Sequence, residues 1–182
     1  MKGFVFTEFL EMVEEAHGYE LVDKLLLESH LPSGGNYTSV GTYDHAEMIA
    51  LVNKLSEHLN LPTGQLLRTY GRYMFGSFKR DYGLFIDKAD SAFSLLSSIQ
   101  QYIHVEVRKL YPDAELPHFT ITQPAPDRLV MHYESERKLA DFAHGLIEGC
   151  LAHFGEEAVV TESRRAADGS DVIFEITKKR NE

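Results

Sequence analysis

The chain has 182 residues, 43% of them hydrophobic and 25% charged, the size and composition of one folded globular domain. Eighteen Lys and Arg stand against twenty-eight Asp and Glu, and the net charge of −10 repels phosphate backbones, arguing against nucleic-acid binding. No apolar run approaches the roughly eighteen residues of a membrane span, and the lone cysteine, Cys150, excludes an intrachain disulfide framework and a multi-cysteine zinc site.

The apolar start Met1-Lys2-Gly3-Phe4-Val5-Phe6 is broken by Glu8 and Glu11, so it is not read as a signal peptide, and the expected compartment is the cytoplasm. Val5, Phe6, Phe9, Leu10 and Val13 recur at helical spacing until Gly18 ends the run. Leu21, Val22, Leu25 and Leu26 predict a second, shorter helix, and Pro32-Ser33-Gly34-Gly35-Asn36 a loop. Asp44 and Glu47 have the spacing of a capping box before a helix carrying Met48, Leu51, Val52, Leu55 and Leu59. Pro62-Thr63 opens another, with Leu67, Tyr70, Gly71, Met74 and Phe78 on one face. Gly71 and Gly76 each cost that helix about 1 kcal/mol relative to Ala. Close approach by a large flat group and tight packing by another helix both account for them.

Ala92, Leu95, Leu96, Ile99, Ile103, Val107 and Leu110 predict one helix over 89–111, ended by Pro112. The period then changes to two. Strands are predicted over 118–123 and 128–134, separated by Pro124-Ala125-Pro126-Asp127. A helix over 137–154 aligns Leu139, Phe142, Leu146 and Cys150, and a hairpin runs from Val159–Arg164 through Asp168-Gly169 to Val172, Phe174 and Ile176. Helices first and an antiparallel sheet later predict an α+β fold, one domain over 1–182 with no interdomain linker.

Three constellations carry possible chemistry. His104 lies eleven residues after Phe93, within about 20° of it on an uninterrupted helix at about 100° per residue. A neutral imidazole at the edge of a buried face is either a metal ligand or a half-buried side chain satisfied by a carbonyl. No second His or carboxylate completes a site, so a metal there needs its other positions filled by another group, and a porphyrin supplies four. Tyr133-x-Ser135-x-Arg137 puts two hydroxyls and a guanidinium fork on one side of a strand end, which suits carboxylates such as haem propionates. Read structurally, Ser135 caps the next helix, Tyr133 is core and Arg137 is solvated. Val5, Phe9, Met74, Phe78, Phe142 and Leu146 form an apolar face drawn from three helices, which taken alone is core.

Together these residues resemble the H-NOX family, the haem nitric oxide/oxygen binding domains related to the sensory domain of soluble guanylate cyclase. The likeness starts at Met1-Lys2-Gly3 and runs through Gly71-Arg72, Ile103-His104, Lys109-Leu110, Pro117, Tyr133-x-Ser135-x-Arg137 and Gly145-Leu146-Ile147-Glu148-Gly149. The Tyr-x-Ser-x-Arg motif downstream of a helix-borne His is its most specific part. The resemblance implies a helical N-terminal part packed on a C-terminal part with a four-stranded antiparallel sheet, and haem b between them. It makes His104 the proximal iron ligand, Tyr133, Ser135 and Arg137 the propionate clamp, and Pro117 a residue pressing on the porphyrin.

Oxygen-binding relatives carry Tyr, Trp and Asn at the positions matching Phe142, Phe9 and Met74. With those donors gone, the resemblance implies an NO sensor that also binds CO and largely ignores O2, with Tyr70 and Tyr73 as the remaining hydroxyls near the pocket. On this resemblance NO is expected to weaken or break the iron–His104 bond, letting the porphyrin relax against Pro117 and the helices carrying Phe9 shift against the sheet half. With no output domain in the chain, the expected partner is a separate signalling protein, a histidine kinase or a diguanylate cyclase. An O2 sensor or carrier and a haem-free interaction module are the alternatives. No nucleophile–base or carboxylate pair stands out, so enzymatic activity is not expected.

Overall fold

In the computed structural model, residues 1–179 are described, and residues 180–182 of the expected single domain lie outside them. The first apolar stripe folds as α1 (Gly3–His17), which ends where Gly18 takes a φ of 85°, a left-handed value that favours glycine. It is followed by α2 (Tyr19–Glu28), α3 (His45–Leu59) and α4 (Thr63–Ile86). Phe6, Phe9, Val13, Leu25, Met48 and Leu51 bury against one another as the core of this half. The capping box forms only in part. Asp44 accepts the Ala46 N–H at 2.9 Å, but Glu47 does not reach back. Its buried carboxylate instead takes the Tyr37 hydroxyl at 2.7 Å and the Ser33 hydroxyl, because the 31–37 loop brings those donors over it.

The helix predicted over 89–111 is not continuous. It divides into α5 (Ala92–Ser98), a π-helical turn (Ile99–Ile103) and α6 (His104–Leu110). A π-turn widens the spiral and shifts the phase of everything after it, so a stripe counted at one period does not carry across. Gln100, inside this turn, accepts the Phe119 N–H at 3.0 Å and ties the turn to the sheet.

The sheet is antiparallel throughout, in the order β1-β2-β4-β3, from β1 (His118–Ala125), β2 (Arg128–Glu134), β3 (Ala158–Arg164) and β4 (Asp171–Lys178). Leu129, Met131, Tyr133, Val172, Phe174 and Ile176 point to one face, where α7 (Ala140–His153) covers them with Ala143, Ile147, Cys150 and Leu151. The α7 helix starts at Ala140, later than predicted, because 135–139 form a turn in which Lys138 has φ 57°. The α+β architecture is as expected from the change of period. No helix among the described residues is long and apolar enough to cross a membrane.

The two halves meet where α4 crosses α7. A Cβ on Gly71 would lie 2.2 Å from the Phe142 carbonyl oxygen, and one on Gly145 2.0 Å from that of Arg68. Helix packing therefore accounts for Gly71, while nothing in the structure explains Gly76. Glu148 closes the same crossing by pairing with Arg68 and, at 2.9 Å, with Arg72. Gly145→Ala must push the helices apart. Overpacking of this kind costs about 1–3 kcal/mol, and the urea midpoint should fall accordingly. An unchanged midpoint would contradict the close crossing.

Candidate functional site

A cavity of about 330 Å³ separates the helical half from the sheet half, and its walls are almost entirely hydrocarbon. Val5 of α1, Phe78 of α4, and Phe142 and Leu146 of α7 line it from the helical side. Across from the N-terminal helices, its lining comes from α5, the π-turn, α6, the 111–117 loop and the inner face of β1 and β2. Nine of the eleven residues singled out by sequence reach this wall: Val5, Phe78, His104, Pro117, Tyr133, Ser135, Arg137, Phe142 and Leu146.

Phe9 and Met74 do not. Both are fully buried one layer behind, in the N-terminal core. Tyr70 fills the space between, its ring 5.2 Å from Phe9 and 5.1 Å from Phe142. Its hydroxyl donates to the Val5 carbonyl and lies 3.6 Å from the Met74 sulfur, so it is already used inside the core. Tyr73 is half-buried, and burial together with the carboxylates of Glu11 and Glu15 pushes its phenol up to about 12. Neither tyrosine lines the cavity. Tyr82 does, one turn beyond Phe78, with its hydroxyl 2.8 Å from that of Tyr111. Helical spacing from Phe78 was the only signal for it.

Among the described residues, His104 is the only histidine on this wall. It is the first residue of α6, directly after the π-turn, and is 8% exposed. Burial lowers its basicity to about 4, with smaller contributions from Arg108 and His118, so the ring is neutral near pH 7. Its Nδ1 is buried without a hydrogen-bond partner. A neutral, unengaged imidazole is the form that coordinates a metal.

The second polar group lies where β2 runs into the turn before α7. Tyr133 is the inward residue of the strand, and its hydroxyl accepts the Leu139 N–H at 3.1 Å. Burial raises its phenol, so it stays neutral. Ser135 and Arg137 lie beyond the strand rather than on it. Ser135 accepts the Arg137 N–H at 3.2 Å and therefore caps this turn, not α7. Arg137 reaches Glu115 at 2.9 Å through Nη2, while its Nε is buried with no partner. An unpartnered buried guanidinium N–H is costly. An acceptor of negative charge inside the cavity would satisfy it.

Residues 2–162 match the family model described as haem-NO-binding. The chain belongs to the haem-NO-binding, or H-NOX, family. Its fold superposes on the Fe(II) unliganded H-NOX protein from K. algicida with a TM-score of 0.95, at 40% identity over 100% of this chain and 98% of that one. The H-NOX from Shewanella woodyi, solved bound to IWP-051 in the Fe(II)CO state, is 42% identical, with a TM-score of 0.84 over 98% of this chain and 95% of that one. An H-NOX protein from S. oneidensis in the Fe(II)NO state is 27% identical, with a TM-score of 0.91 over 99% and 100%.

The donor set of this H-NOX cavity fits a haem. It offers one neutral imidazole, apolar walls, and an arginine N–H that lacks an anion. Tyr133 also has a purely structural duty, because the buried Leu139 N–H depends on its oxygen. Tyr133→Phe should cost about 1–3 kcal/mol, the desolvation penalty of a stranded donor, seen as a lower urea midpoint. No loss would mean that the N–H finds another partner.

Proposed function

We propose that this chain holds a b-type haem in the cavity and senses nitric oxide, with His104 as the single protein ligand to iron. The observation that carries the reading is an unpartnered neutral imidazole on the wall of a cavity whose α1, α4 and α7 side is formed by Val5, Phe78, Phe142 and Leu146. Bound there, a haem would be held by His104 and would supply a ferrous iron able to bind NO or CO. Tyr133 and Ser135 would donate hydroxyl protons to its propionates, and the unpartnered Nε of Arg137 would supply a further donor. Pro117, in the short loop between α6 and β1, lines the cavity and would contact the porphyrin.

Selectivity follows from what the apolar wall withholds. Bound O2 draws negative charge and gains from a hydrogen-bond donor, whereas bound NO is less polarised. A hydrogen bond to a charged group is worth roughly 1.5–3 kcal/mol, about 10- to 100-fold in affinity. Phe142 and Leu146 offer no donor, and Tyr70 spends its own on Val5. Relatives solved with NO and with CO support the same ligand set.

His104 sits at the joint between the π-turn and α6, and Gln100 couples that turn to β1. Freeing the imidazole would therefore release a constraint on the turn and the sheet edge and bias a two-state equilibrium. The output passes across the surface to a separate effector, a histidine kinase or a diguanylate cyclase. Absorption spectra of the ferrous protein test the reading. Air should leave the spectrum unchanged while NO and CO each shift it, and Phe142→Tyr should raise O2 affinity by about 10- to 100-fold. A wild-type spectrum that responds stably to air would overturn it.

A further inference from the structure

The other face of the sheet carries a second cluster with metal-binding chemistry, separate from the haem cavity. His132 and Glu134 are two residues apart on β2 and share that face. Asp171, the register partner of Glu134 on β4, joins them. One ligand atom from each of the three side chains lies within 4.8 Å of the other two. We propose that His132, Glu134 and Asp171 bind a divalent transition-metal ion of the zinc type.

The arrangement favours such an ion for three reasons. First, charge: the His132 Nε2 lies 2.7 Å from Asp171 Oδ1, while Glu134 has no hydrogen bond or ion pair among the described residues. Two carboxylates thus share a small area with one imidazole, and among the described residues no Lys or Arg pairs with either of them. A bound cation would accept a lone pair from each of the three side chains and offset both carboxylates.

Second, donor type. Imidazole with carboxylates suits zinc and its neighbours, whereas calcium and magnesium prefer oxygen alone. Zinc holds such ligands at about 2.0–2.2 Å, which places them roughly 3.4 Å apart in a tetrahedron. Small side-chain rotations reach that spacing from 4.8 Å. Water takes the fourth position.

Third, rigidity. All three ligands sit on paired strands, so the backbone fixes their spacing before the ion arrives. Tyr133 lies between His132 and Glu134 in the chain and points the opposite way, into the cavity. An ion here therefore braces β2 against β4 directly behind the propionate clamp.

Isothermal titration of Zn²⁺ into the full haem-loaded chain tests the site. The wild type should take up one equivalent with micromolar or tighter Kd. His132→Ala and Glu134→Gln should each weaken that binding by at least about tenfold, no less than the loss of an outer partner typically costs. His58→Ala removes a histidine paired with Glu28 elsewhere and should leave the isotherm unchanged. The ferrous absorption spectrum of every variant should match the wild type, which separates a lost site from a lost fold. Saturation at no defined equivalent, or His132→Ala binding zinc as tightly as wild type, would overturn the proposal.

Discussion

A buried imidazole with no hydrogen-bond partner is the constraint around which this chain is arranged. Unsatisfied buried polar atoms normally destabilise a fold, and here two of them, His104 Nδ1 and Arg137 Nε, belong to residues that line the same cavity. The explanation we propose for both is a guest that accepts from the arginine and is ligated by the histidine. The neutral state of His104 follows from the same burial, since a charged ring would have to be desolvated without compensation.

The scaffold keeps that cavity open while closing everything around it. At the Gly71–Gly145 crossing the backbones of α4 and α7 approach too closely for any side chain to intervene. This brings Phe78 of α4 and Phe142 and Leu146 of α7 to a common wall. Beyond them the π-turn ends in His104. An inserted residue in a helix is tolerated where a side chain must be aimed, and π-turns recur at functional sites for that reason. The turn is tied to the sheet there, because Gln100 is bonded to β1.

Much of this was legible in the residues. The change of hydrophobic period near Pro112 marked the boundary between helices and sheet, and the stripe around His104 marked a buried face. The family likeness then connected His104 with Tyr133, Ser135 and Arg137, which spacing alone could not do. What escaped the sequence had physical reasons. The π-turn leaves no compositional mark, because Ile99 to Ile103 read as ordinary helix. Glu47 looked like a cap, but tertiary contacts supplied Ser33 and Tyr37 as stronger partners. Phe9 and Met74 share helices with cavity-lining residues, but the ring of Tyr70 lies between Phe9 and Phe142 and keeps this pair in the second layer. The cluster of His132, Glu134 and Asp171 depends on strand register across thirty-nine residues, which no local pattern reveals.

The claim on which the rest depends is that one imidazole ties the pigment to this chain. His104→Gly leaves a gap that free imidazole can enter, so the most direct measurement is the ferrous absorption of that variant with and without added imidazole. The account predicts a weakened or altered haem spectrum that imidazole restores toward wild type. A His104→Gly protein that keeps the wild-type spectrum unaided would contradict it.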